Sequence, residues 1–274
     1  MPVENDGRPD HHRRGGRVLR RRTLLGTAVG AGAGLGLGAG AAPGAVGRTR
    51  QDEAGGAGRD RIRVTILLYE GCTALDAVGP YEVLCRVPGV RVTMVAKEAG
   101  PVTSDTGELR LVAERSIRDV HRTEVLVVPG AGNPGTLAMM RDTEVHDWLR
   151  RMHRRTTWTT SVCTGSLILG AAGLLKGVPA TTYWAARPVL KDVGAIDTPG
   201  RFVESGKIIT AGGVSAGMDM GLRLVQLLSD TRTAQAMQLG IEYDPQPPFD
   251  TGSPEKAGPE LQELALRLVE EAAG

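Results

Sequence analysis

Histidine, cysteine and aromatic residues are all scarce in this 274-residue chain, and each shortage removes a class of function. Aromatics make up 3% of the sequence, so a core has to be assembled from Val, Leu, Ala, Met and Ile. The three cysteines, Cys72, Cys85 and Cys163, are too few, and odd in number, for a disulfide framework. No CxxC and no Cys/His spacing suits zinc, so no metal site is expected. Cys72 and Cys85 stand among apolar residues and read as small buried hydrophobes. Beyond the first sixty residues the only histidines are His121, His146 and His153. None falls on a strand-end loop, and all three read as solvated surface residues, which leaves a Cys-His-Asp triad poorly supported. The body also lacks positive charge. Residues 1–61 hold eleven Arg against six Asp or Glu, a balance of +5; the whole chain is +2, so the remainder carries −3. Nothing there suggests a nucleic-acid surface.

What the first sixty residues do have is the order of parts of an export signal. Arg20-Arg21-Arg22 precede a weakly apolar Gly/Ala run over 27–42, which closes on small residues such as Ala39-Gly40-Ala41. Paired arginines before a mildly apolar run resemble a twin-arginine signal, whose translocase carries folded proteins. The run is too Gly-rich to hold a membrane span, and no cysteine follows it to carry a lipid anchor. Residues 1–42 are therefore expected to be a cleaved signal and 43–61 a flexible linker. Residues 62–274 would be a single domain, exported to the cell envelope or beyond.

That body alternates strands and helices. Residues 63–69 form a continuous apolar, β-branched run, as in a buried parallel strand. Further strands are expected at 90–96, 124–128, 157–162 and 180–183, with a short pair at 201–205 and 207–210. Helices are expected at 73–86, 144–155, 164–175, 184–192, 215–228, 231–239 and 259–273. The alternation argues an α/β fold with a mainly parallel sheet. In such sheets the reactive groups gather at the carboxyl ends of strands. Three loops end strands there, at 70–79, at 130–135 and around Cys163, and they are expected to converge.

The most informative stretch is Ser161-Val162-Cys163-Thr164-Gly165-Ser166. It reads as strand, sharp turn and helix, the geometry of a nucleophile elbow with sulfur in place of oxygen. A thiol facing solvent over a helix N-terminus is expected to have a depressed pKa and to react as a nucleophile. Asp76, set among Leu75, Ala77 and Val78, is either a helix cap or an acid/base that exchanges protons near neutral pH. The loop Gly130-Ala131-Gly132-Asn133 is either an ordinary turn or a backbone site that, with the Thr164 amide, stabilises developing negative charge. The Thr164 hydroxyl is a further candidate for holding substrate or water.

These residues carry a resemblance. Gly71-Cys72-Thr73-Ala74-Leu75-Asp76-Ala77-Val78-Gly79-Pro80-Tyr81-Glu82, the Cys163 stretch, Ala180-Thr181-Thr182-Tyr183-Trp184 and Gly212-Gly213-Val214-Ser215-Ala216-Gly217-Met218-Asp219 look like the ThiJ/PfpI superfamily. The tail Gly240-Ile241-Glu242-Tyr243-Asp244-Pro245-Gln246-Pro247-Pro248-Phe249-Asp250 is similar to its isonitrile hydratase branch. The resemblance covers about residues 62–257. It implies a flavodoxin-like three-layer α/β sandwich, related to class I glutamine amidotransferases, and a homodimer. It further implies Cys163 as nucleophile, Asp76 as acid/base and Thr164 as an essential neighbour, with Gly130, Ala131 and Tyr183 lining the substrate site. The substrate implied is a small molecule, an isonitrile hydrated to an N-substituted formamide, with no cofactor. Two departures stand out: Tyr183 replaces a histidine common in the superfamily, and Ala131 replaces a glycine. A phenol is a poor base near pH 7, which weakens glyoxalase and His-dependent hydrolase readings. The superfamily also supplies ligand-sensing and redox-sensing domains, the alternatives to an enzyme.

Overall fold

The computed structural model describes residues 61–273. The expected signal, and the expected linker apart from Arg61, lie outside them. The described chain forms one seven-stranded sheet with two short satellite ladders.

The sheet grows outward from β1 (Ile62–Leu67), whose last four residues are fully buried. On one side β1 pairs in parallel with β2 (Val90–Ala96), and β2 with the two-residue β5 (Arg115–Ser116). On the other side β1 pairs with β6 (Val125–Val128), and β6 with β7 (Trp158–Val162), again in parallel. β7 pairs with β11 (Ile208–Ala211), and β10 (Phe202–Ser205) closes that edge as the sole antiparallel strand of the sheet. The chain leaves β1 for β2 on one side and later returns to β6 on the other. The carboxyl ends of β1, β6 and β7 therefore lie side by side at a point where strand order reverses, where open α/β sheets place their ligands.

Helices cover both faces. α1 (Ala74–Leu84) packs on α6 (Ala216–Leu228), and α6 on α7 (Thr231–Gly240). The other group is α2 (Asn133–Met139), α3 (Thr143–His153), α4 (Gly165–Ala171) and α5 (Val189–Asp192). The core between these layers is mainly aliphatic, as the shortage of aromatics required: Ile66, Leu67, Leu126, Val127, Ile168 and Leu169 are all completely buried, with Trp148 a rare buried ring. Each such side chain contributes roughly 1.5–3 kcal/mol by leaving water.

Several elements differ from the sequence reading. The hairpin of β3 (Gly100–Thr103) and β4 (Arg110–Ala113) is absent from it, because charged residues and Gly107 interrupt the period-two pattern. The strand expected at 180–183 shrinks to β8 (Pro179–Ala180), which pairs with β9 (Ile196–Asp197) and leaves Thr181, Thr182 and Tyr183 as a loop. The helix expected at 184–192 is a 3-10 turn followed by α5, separated at Pro188, which has no N–H to continue the ladder. His146 is buried, with Nε2 at 2.9 Å from the Met139 carbonyl, and His153 is half-buried against Thr159. The surface reading of these two residues is therefore corrected. His146, Leu149 and Met152 recur at helical spacing on the inward face of α3, which carries His146 into the core. α8 (Pro259–Ala272) has no buried residue and leaves Leu261, Leu264 and Leu268 on one exposed face.

Candidate active site

The elbow forms as its sequence suggested. Buried β7 ends at Val162, and α4 starts at Gly165. Cys163 between them has φ 55, one of two non-glycine residues with positive φ among those described. Such a conformation persists only where its surroundings fix it. Here the Cys163 N–H donates to the carbonyls of Ala211 (3.1 Å) and Gly212 (2.8 Å). Its carbonyl accepts from Thr182 Oγ1 at 2.9 Å and Ser166 Oγ at 3.3 Å. The turn also demands small neighbours. A Cβ on Gly130 would lie 2.6 Å from Thr164 N and 2.9 Å from Cys163 Cβ.

Asp76 stands in the first turn of α1 and is completely buried. Its Oδ2 accepts the Gly130 N–H at 2.8 Å, while its Oδ1 has no hydrogen-bond partner. Burial pushes its pKa up to about 7, against the pull of the Gly130 amide; the charge of Asp105 adds to the rise, and the facing Cys163 thiol opposes it slightly. Cys163 is itself 5% exposed. Burial pushes its pKa well above the usual thiol range, and the Asp76 charge pushes it further, against weaker support from the Thr164 amide and hydroxyl. The expected exposed, acidified thiol is thus corrected. The N-terminus of α4 does favour the thiolate, but loss of water outweighs it. Near neutrality the pair instead holds a neutral thiol against a carboxyl that exchanges its proton.

The loop after β6 is bound to Asp76 on one side and to Thr164, the neighbour of Cys163, on the other. The Ala131 N–H donates to Thr164 Oγ1 at 2.9 Å, and Thr164 Oγ1 returns a bond to the Ala131 carbonyl at 3.0 Å. Thr136 Oγ1, unforeseen in the sequence, joins both at 2.8 and 3.0 Å. The Gly130 and Ala131 amides, expected to face a substrate oxygen, are therefore both engaged inside the protein. Ala131 is not among the residues with positive φ, so its methyl group fits without backbone strain. Tyr69, also missed, donates from its buried hydroxyl to the Pro129 carbonyl at 2.8 Å and pins the ends of β1 and β6 together.

The three strand-end loops do converge, and a cavity of about 540 Å³ lies to one side, lined from these loops by Leu75 alone. Cys163, Asp76 and Thr164 are not in its wall. It meets their surroundings through Leu75, Thr182 and Gly212, two of which bond the Cys163 backbone. Tyr183 and Trp184, with ring centroids 5.6 Å apart, form an aromatic side of this cavity. Gly252–Glu255, a stretch of the tail, supplies another. Nothing in the sequence pattern marks 252–255 as a pocket wall. Among the described residues no group of His, Cys, Asp and Glu is gathered as for a metal ion.

Comparison with known proteins gives this geometry relatives. Residues 62–227 match the DJ-1/PfpI family. An isonitrile hydratase of Pseudomonas putida is 44% identical over 196 residues, covering 72% of this chain and 85% of its own length. A helix-turn-helix-type transcriptional regulator of Rhizobium meliloti is 30% identical over 156 residues, which is 47% of its length. The crystal structure of a ThiJ/PfpI family protein from Pseudomonas syringae superposes with a TM-score of 0.73 at 37% identity, covering 82% of this chain and 99% of that one. Drosophila melanogaster DJ-1beta, at 21% identity and a TM-score of 0.60, is similar in fold.

Proposed function

We propose that this chain, which belongs to the DJ-1/PfpI family, adds water to a small isonitrile through a covalent intermediate on Cys163. The observation that carries the reading is the buried Asp76 and Cys163 pair, in which a carboxyl with one unpartnered oxygen faces a neutral thiol. The 44% identity to the Pseudomonas putida isonitrile hydratase supports the substrate class.

The chemistry follows from the substrate's carbon. The terminal carbon of R–N≡C carries a lone pair, so it needs a proton before sulfur can bond to it. Asp76 donates that proton to carbon. Cys163 Sγ bonds to the same carbon, and its thiol proton returns to Asp76, giving the thioimidate R–N=CH–S. Water then adds across C=N: Asp76 protonates nitrogen and takes a proton from the attacking water. Collapse to R–NH–CHO expels sulfur, which regains its proton. One water is consumed, and Asp76 ends as it began. Thr164 holds the elbow against the Gly130 loop throughout. Tyr183 and Trp184 offer the R group an aromatic wall, and large planar rings favour apolar partners.

The test is to incubate the chain with a small isonitrile and, separately, with methylglyoxal. Formamide is expected from the first, and none from Cys163→Ser. Because the step needs a protonated Asp76, kcat/KM is expected to be level at low pH and to fall tenfold per unit above about pH 7, the value to which burial raises this carboxyl. A rise across pH 7 would reverse the assigned role of Asp76, and turnover of methylglyoxal alone would replace the reaction. Trp184→Ala is expected to raise KM for an isonitrile with a ring substituent about two- to tenfold while changing kcat little, since one aromatic contact in a pocket is worth about 0.5–1.5 kcal/mol beyond its area. Unchanged KM would place the R group elsewhere.

A further inference from the structure

The unforeseen hairpin reaches the site through its turn. The Gly71 N–H donates to the Thr103 carbonyl at 2.9 Å, and Cys72 pairs with Ser104 on one side and with Ala131 on the other. At the tip, the Asp105 N–H donates to the Cys72 carbonyl at 3.2 Å. Asp105 Oδ1 accepts the Thr106 N–H at 3.0 Å, and Oδ2 accepts the Thr73 hydroxyl at 2.5 Å. Thr73 occupies the N-cap position of α1, its hydroxyl bonded to Asp105 rather than to the helix. Its N–H donates to the Gly130 carbonyl at 2.9 Å, and its own carbonyl accepts the Asp76 N–H at 3.1 Å. Asp105 is therefore one residue removed from both the acid and the loop that binds it. The reaction above gives it no task.

We infer that Asp105 is a positioning residue: by clamping Thr73 it fixes the turn that aims Asp76 at Cys163, and it places a second carboxylate beside that pair. The ionisable groups around Asp76 come from each surrounding element. Cys163 is on the elbow, Tyr69 and Cys72 are on the segment after β1, and Asp105 is on the hairpin turn. The Asp105 charge acts in one direction on all four, holding protons on Asp76, Cys163, Cys72 and Tyr69. A carboxylate placed there opposes loss of the proton that the first chemical step uses.

The inference rests on the proposed isonitrile reaction for its catalytic meaning, so it is tested by two readouts, one of which needs no substrate. Asp105→Asn keeps an acceptor for Thr73 and removes the charge. The falling limb of the kcat/KM profile for isonitrile hydration is expected to move at least about half a pH unit lower. The pH midpoint for iodoacetamide alkylation of Cys163, followed by peptide mass spectrometry, is expected to move down as well. Asp105→Ala also removes the clamp, and is expected to lose a further tenfold in kcat relative to Asp105→Asn. Coincidence of both pH curves with wild type in Asp105→Asn would overturn the inference and leave the isonitrile reading intact. A shifted alkylation midpoint in a chain that hydrates no isonitrile would overturn the reaction and keep the role of Asp105.

Discussion

Asp76→Asn is expected to lose at least about a thousandfold in kcat/KM and, at the same time, to be more stable than the wild-type chain above pH 7. Asparagine has the shape of the neutral carboxyl and can still accept the Gly130 N–H that Oδ2 now accepts at 2.8 Å. It cannot give a proton to carbon or take one from water, and general acid–base catalysis contributes about 10²–10⁴. The stability effect follows from the same burial. Asp76 titrates near 7 in the folded chain against an ordinary value of 3.8. Between those values the unfolded chain has released the proton and the folded chain still binds it. Folding stability therefore falls as pH rises through this window and is lowest above the folded value, by on the order of 4 kcal/mol at 1.36 kcal/mol per unit. Asparagine carries no such proton. In urea titrations the variant should exceed wild type at pH 8, and the gap should close towards pH 4. A variant less stable than wild type at pH 8 would mean that the carboxyl is not held in a dry, proton-retaining site.

This trade of stability for chemistry also explains what was legible in the sequence. The order of strands and helices was readable because β6 is an unbroken apolar run and β1 and β7, largely buried beside it, are rich in apolar and β-branched residues. Cys163 was readable because a strand, a cysteine and a small-residue helix leave little other than a sharp turn. Its ionisation was not readable. A helix N-terminus is visible in sequence, but the depth of burial that outweighs it depends on α1, β6 and α4 closing over one another. The hairpin turn that carries Asp105 was missed for a related reason. Ser104, Asp105, Thr106 and Gly107 read as an ordinary polar loop, and only its long-range pairing with Cys72 and Thr73 gives it a place at the site. The histidines erred in the opposite direction: His146 is polar in type but occupies an inward position on α3, where the Met139 carbonyl satisfies its ring.

The elbow also sets the second large expected effect. Gly165→Ala puts alanine, the best helix former, at the first position of α4, so helix propensity alone would favour the change by about 1 kcal/mol. Space decides against it. The new Cβ would lie 2.0 Å from the Val128 carbonyl oxygen and 2.8 Å from that of Pro129, both backbone atoms at the end of buried β6. Neither can rotate away as a side chain would, so β6 and α4 must separate. That separation breaks the bonds joining Thr164 to the Gly130 loop and shifts Cys163 relative to Asp76. A loss of about 3 kcal/mol or more is expected from urea denaturation, with a collapse of isonitrile turnover in whatever fraction remains folded. Gly173→Ala is the control, since its Cβ would meet nothing within 4 Å and only its φ of +79 opposes the change. It should cost about 1–2 kcal/mol and leave turnover as it was. If Gly165→Ala were as stable as Gly173→Ala and its Cys163 still alkylated at the wild-type rate, the close contact between the elbow and β6 would not be what holds the thiol against its acid.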